Sequence, residues 1–146
     1  MRLTKLFLML TVGLLLSACG PTAQVLYYWG GESGGVTEYE RVSYHSADKQ
    51  SPESLCQMLA TYEQLVSNPG GYRQVPPPGI CAEYAWLLIQ PETASLYNQY
   101  ATTKQKALVG ASATFAERSR KLFEMEMQYY PESITFIKPL AEKLFR

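Results

Sequence analysis

One histidine, three cysteines and a formal net charge of zero leave this chain of 146 residues few routes to chemistry. A metal centre needs several convergent ligands at a recognised spacing. The nearest acids to His45 are Glu38, Glu40 and Asp48, which match no such spacing, so His45 reads as a solvated loop residue. Cys–His catalysis would require His45 to meet Cys56 or Cys81 in space, and no local signature supports that. The chain carries no G-x-S-x-G, no H-E-x-x-H and no phosphate-cradling glycine loop. Without a basic excess there is no surface field to draw in a phosphate backbone, so nucleic acid is not expected as a partner. The apolar run at 6–16 is too short to span a bilayer.

What the chain does have is core material. Hydrophobic residues make up 47% and charged residues 18%, enough for one packed domain and too few residues for two. The N-terminus is an address: Arg2 and Lys5, then the apolar run 6–16, then small residues, which together form a secretory signal. Its end, Leu16-Ser17-Ala18-Cys19, resembles the bacterial lipoprotein box. In that box Leu16 anchors the segment in the peptidase's apolar site, Ser17 and Ala18 are small enough to enter it, and the Cys19 thiol takes a diacylglyceryl group. Cleavage before Cys19 frees an amine for N-acylation. Three acyl chains hold a bilayer firmly, since each buried methylene adds about 0.8 kcal/mol. Gly20 rather than Asp follows the cysteine, which resembles lipoproteins exported to the outer membrane. The resemblance implies a signal peptide at 1–18 and an outer-membrane lipoprotein facing the periplasm, with no cofactor beyond the lipid on Cys19. Loss of Arg2 and Lys5 with the signal leaves 11 Lys+Arg against 13 Asp+Glu.

Beyond a short polar spacer, VLYYWGG (25–31) begins as a brief extended segment rich in strand formers. Its aromatic residues Tyr27, Tyr28 and Trp29 have three readings: insertion at the bilayer interface, contact with a partner, or a flap over the helical core. GGESGG (30–35) reads as flexible punctuation and 36–44 as helix. From 51 onward the pattern is plainly helical. Ser51-Pro52-Glu53 supplies an N-cap, a first-turn proline and an acid at the positive helix end. Leu55, Met58, Leu59, Tyr62, Leu65 and Val66 follow at helical spacing, and Asn68-Pro69-Gly70-Gly71 stops the helix. The prolines at 76–78 stiffen the next loop. Residues 80–89 are apolar nearly all round and read as a buried helix; 92–109 continue helically; Thr114 and Glu117 form a capping box that opens a helix over 115–130. A last helix spans 133–145, with Pro139 placed in its first turn or kinking it. The expected fold is therefore all-α: antiparallel helical hairpins at 51–146 behind a lipidated, aromatic and glycine-rich segment at 19–50.

LFEMEMQYYPES (122–133) resembles the second half of a tetratricopeptide repeat, and 82–88 a matching first half, with 92–110 departing as an insertion. The lipobox, LYYWGG, PPPGICAEYAWLL and MQYYPES together resemble an uncharacterised family of small bacterial outer-membrane lipoproteins, typically encoded beside a lipoprotein like the curli-secretion channel component. That resemblance implies a non-enzymatic accessory or assembly factor that binds a partner, another envelope lipoprotein or a secretion channel, in an export complex. The alternative is a small envelope hydrolase or wall-binding protein using buried carboxylates.

Two features bear on that alternative. On a helical wheel Glu126 falls amid Phe115, Ser119, Leu122, Phe123 and Tyr130, so its carboxylate needs a tyrosine, an arginine or free helix amides. Glu83 on the apolar helix poses the same question, and the two acids read as a buried polar network. Cys56 and Cys81 remain once Cys19 carries lipid. In an oxidising compartment a disulfide between them and two separate buried thiols are both open.

Overall fold

The computed structural model describes residues 25–146, and they are all-α apart from one small hairpin. The signal peptide at 1–18, the box Leu16-Ser17-Ala18-Cys19 and the spacer to 24 lie outside the described residues.

The hairpin arises where the sequence suggested only flexibility. Strands β1 (Glu32–Ser33) and β2 (Val36–Thr37) pair antiparallel, with Glu32 opposite Thr37 and Ser33 opposite Val36. The turn between them needs two residues at positive φ, and Gly34 and Gly35 supply +63° and +77°. Residues 25–29, expected to be extended and rich in strand formers, join no sheet. Their carbonyls are used by neighbouring loops instead: Val25 and Leu26 accept from the amides of Tyr72 and Arg73 at 3.0 and 3.1 Å.

Seven helices follow: α1 (Glu38–Lys49), α2 (Pro52–Ser67), α3 (Ile80–Leu88), α4 (Thr93–Tyr100), α5 (Thr103–Val109), α6 (Phe115–Tyr129) and α7 (Ile134–Leu144). Capping boxes start three of them. Thr37 pairs with Glu40 for α1, Ser51 with Ser54 for α2, and Thr102 with Gln105 for α5. The last box divides the expected continuous helix at 92–109 in two, because Thr102 is extended at ψ 160°. The box expected at Thr114 and Glu117 does not form. Thr114 already lies in a 3-10 turn, Ser112–Thr114, and its hydroxyl donates to the Ala111 carbonyl at 2.8 Å. Pro139 sits in the interior of α7 rather than its first turn. It removes one intrahelical donor there.

Helix α2 is the hub. It packs against α1, α3, α4 and α5, while α3 makes its most extensive pairing with α6 across the intervening helices, and α7 closes on α6. The core runs through Leu59, Leu65, Ile80, Tyr84, Leu88, Tyr97 and Phe123. Val42 of α1 joins it, so α1 packs with the helices that follow. Apolar α3 is not buried all round, because Trp86 and Glu83 face outward.

The thiols are free and fully buried. Cys56 lies near Lys106 and Glu53, and Cys81 near Glu126. No disulfide joins them. Burial raises both thiols, Cys81 to about 12. Since the thiolate is the reactive form, we expect the unreduced, folded protein to resist alkylation and the unreduced, unfolded protein to take two labels by intact mass. A pair that resists alkylation even when unfolded would restore the bridge.

Candidate functional site

Helix α3 begins without a cap of its own. Its N-cap position is Gly79, at φ +85°, which has no side chain to accept from the first free amides. Glu126 takes that role from across the core. Its Oε1 accepts from the Gly79 amide at 2.8 Å, and the Cys81 and Ala82 amides also favour its charged form. Of the three partners the sequence allowed for Glu126, the helix amides are the one used. The remaining oxygen, Oε2, is buried without a partner. Burial outweighs the amides and leaves the Glu126 carboxyl above the ordinary carboxylate range. The expected face of α6 is otherwise as read: Phe115, Ser119, Leu122 and Phe123 are buried, and the Ser119 hydroxyl donates to the Ala85 carbonyl at 2.7 Å.

Glu83 differs. It is exposed, not buried, so it does not share an enclosed network with Glu126. Its Oε2 accepts from the hydroxyls of Tyr39 and Tyr62, each at 2.8 Å. The two tyrosines continue an aromatic ladder. Trp29 and Tyr39 have ring centroids 5.2 Å apart, Tyr39 and Tyr62 6.2 Å, and Tyr62 and Tyr84 5.7 Å. Burial first and Glu83 second push the Tyr39 hydroxyl up to about 12 and Tyr62 further.

A third acid was not singled out in the sequence. Glu63 of α2 accepts from Arg118 of α6 and, at 2.7 Å, from the Tyr84 hydroxyl. Arg118 also donates to the Val109 carbonyl and lies 5.5 Å from the Tyr84 ring centre. Fifty-five residues separate Glu63 from Arg118, and no local spacing announces the pair.

The aromatic segment folds back as a flap. Tyr27 meets Tyr130 at 6.2 Å, Trp29 packs on Tyr39, and Tyr28 stays 42% exposed. A side chain at Gly71 would collide with the Leu26 carbonyl at 2.8 Å, so the close approach of loop and flap requires glycine there.

Beside the flap lie two adjoining hollows of about 270 and 250 Å³ that share Glu38 and Gln64. Their floor is one stripe of α2, Gln57, Ala60, Thr61 and Gln64, continued by its C-cap Asn68. Tyr28 and Gly30 wall the first hollow; Thr102, Lys104, Gln105 and Leu108 wall the second. The Thr61 hydroxyl, on a residue only 2% exposed, has no partner. Each amide offers both a donor and an acceptor, the pair that a peptide backbone presents. Gln57 and Gln64 stand two helical turns apart, about 10.5 Å, close to the roughly 10 Å spanned by three extended residues. Sequence reasoning missed this trough, because Gln and Asn at helical spacing read as a solvated face.

No group of three or more metal-ligating side chains occurs among the described residues, and none of their helices is long and apolar enough to cross a membrane. No family model, curated protein or solved structure matches the chain.

The charge on Glu126 can be separated from its capping role, because Gln keeps the accepting oxygen. With the folded pKa raised, the native state binds more protons than the unfolded chain at pH values above the ordinary glutamate value. Wild-type stability should therefore fall as pH rises from that value through the raised pKa. E126Q should lack this loss, matching wild type in acid and exceeding it near neutral pH. Urea denaturation across the acid range checks both arms.

Proposed function

We propose that the protein is a lipid-anchored, outer-membrane lipoprotein facing the periplasm that binds a partner protein in an envelope export or assembly complex and catalyses no reaction. The observation that carries this reading is the contrast between committed acids and uncommitted amides. Glu63, Glu83 and Glu126 are each engaged by structural donors, and Glu126 is closed to any substrate at 3% exposed. Gln57, Gln64 and Asn68 instead line an open trough with no intramolecular role for their side-chain amides among the described hydrogen bonds. This allocation favours recognition over hydrolysis.

The lipobox ending at Cys19 supports the location, and the resemblance to small bacterial lipoproteins with repeat-like helices supports the role. Periplasmic exposure also suits a binding function that draws on no nucleotide or reduced-cofactor pool. The trough fits an extended chain: its amide spacing matches every third residue of a peptide, and Glu38 and Lys104 flank it with opposite charges. No separate observation favours the hydrolase alternative.

Photo-crosslinking in living cells tests the site. Benzoylphenylalanine in place of Gln57 or Gln64 should yield the same discrete crosslinked partner by mass spectrometry. The same group in place of Lys138, exposed on α7, should yield none. Absence of a recurring species from both trough positions, or an equal yield from position 138, would contradict the proposal.

A further inference from the structure

The flap has two faces, and only one of them covers the core. Trp29 and Tyr27 turn inward, but Val25 is 64% exposed, Leu26 50% and Tyr28 42%. The loop beside them adds Tyr72, 72% exposed. These residues are held side by side, not scattered. The Tyr72 amide donates to Val25 at 3.0 Å, the Arg73 amide to Leu26 at 3.1 Å, and Gly70 packs against the Tyr28 side chain. The Arg73 guanidinium lies 5.8 Å from the Tyr27 ring centre. Two backbone hydrogen bonds thus fix an apolar and aromatic face with a single cation at its edge.

We infer that this face, Val25, Leu26, Tyr28 and Tyr72 with Arg73, rests on the surface of the bilayer in which Cys19 is anchored. Three observations choose a lipid surface as the occupant. The first is reach. Val25 lies six residues beyond Cys19, a tether of at most about 22 Å when fully extended. Anchored lipid therefore holds this face, ahead of any other on the body, within a short span of the headgroups. At the high effective concentration such a tether imposes, a modest affinity suffices.

The second observation is chemistry. Tyrosine rings and aliphatic side chains suit the interfacial zone, where an apolar body and a polar tip are both accommodated. The third is charge. No acid occurs in 25–31 or in the facing loop at 68–79, while Arg73 does, so these two stretches carry one cation toward anionic headgroups; the acid that approaches them, Glu38, lines the hollow beside Tyr28. Each buried apolar group adds to the contact, whereas the same groups facing water leave an unrelieved patch. Seated in this way, the body lies against the membrane and not at the end of a free tether, with a fixed side turned to the periplasm.

The inference rests on the proposed lipid anchor, and the experiment separates the two. Lipidated protein is purified from membranes with Tyr72→Cys or, as a control, Tyr44→Cys, which is equally exposed on α1. The new thiol is labelled with an environment-sensitive fluorophore; the buried Cys56 and Cys81 stay unlabelled. The protein is then reconstituted in phosphatidylethanolamine–phosphatidylglycerol vesicles. The account expects flotation with the vesicles, a blue shift at position 72, loss of that fluorescence when the acyl chains carry bromine, and neither effect at position 44. Adding Val25→Ser and Leu26→Ser should abolish the shift while flotation and helical circular dichroism persist. Flotation without a selective shift at position 72 would overturn the membrane contact and leave the anchor standing. A shift already present before vesicles are added, growing with protein concentration, would assign the face to a second copy and overturn it equally. Failure to float, with no lipid mass on Cys19, would remove the anchor and this contact together.

Discussion

A single carboxylate reaching across the core joins the two most extensively paired helices. Helix α3 starts at a glycine that cannot cap it, and the Glu126 side chain on α6 fills that vacancy from 47 residues away. Free amides at a buried helix start are costly when left unmet, and so is a carboxylate among phenylalanines. Each meets part of the other's need. The arrangement fixes both the distance and the rotation of α6 against α3, because moving either one strands two buried groups at once. Around that contact Ser119 bonds the Ala85 carbonyl, and Tyr130 bonds the Pro76 carbonyl at 2.5 Å beside the fully buried Pro76 and Pro77.

The other polar ties repeat the pattern at the edges of the core. Glu63 on α2 receives Arg118 from α6 and Tyr84 from α3, so three helices meet at one charged group. Glu83 on α3 receives tyrosines from α1 and α2. Both sit where water still reaches, and there the pairs give orientation more than raw stability. The consequence for function is one of allocation. Charged groups hold helices in register, and the amide-lined trough on α2 and the apolar face at Val25, Leu26, Tyr28 and Tyr72 are left open to another molecule. The proposed function, a partner held at a membrane surface, calls for two such surfaces.

Much of the architecture was legible because it depends on local rules. Ser51 and Pro52 announced α2 to the residue, and the glycine-proline break at 68–71 ended it as expected. The wheel around Glu126 was also readable, since helical periodicity alone places a residue on a face. Its partner was not: Gly79 carries no signal of needing a cap until α6 is folded against it. The T-x-x-E/Q pattern occurs at Thr37, Thr61, Thr102 and Thr114, and only Thr37 and Thr102 cap, Thr61 lying inside α2. Capping needs an extended residue, and Thr114 is already coiled into a 3-10 turn by the segment before it. Local pattern could not distinguish them. Glycine pairs were ambiguous in the same way, since Gly34 and Gly35 close a hairpin where flexibility was the simpler reading. Long-range pairs such as Glu63 with Arg118, and the trough, exist only once distant helices are side by side.

The central claim is that Glu126 serves as the missing cap of α3. Nuclear magnetic resonance observation of the Gly79 amide proton through an acid titration tests it most directly. The account predicts a strongly downfield resonance that moves in one step, with a midpoint above the ordinary glutamate range, and a step that vanishes in E126Q. A Gly79 amide at an unremarkable shift that does not respond to pH, or one that titrates unchanged without the carboxylate, would contradict it.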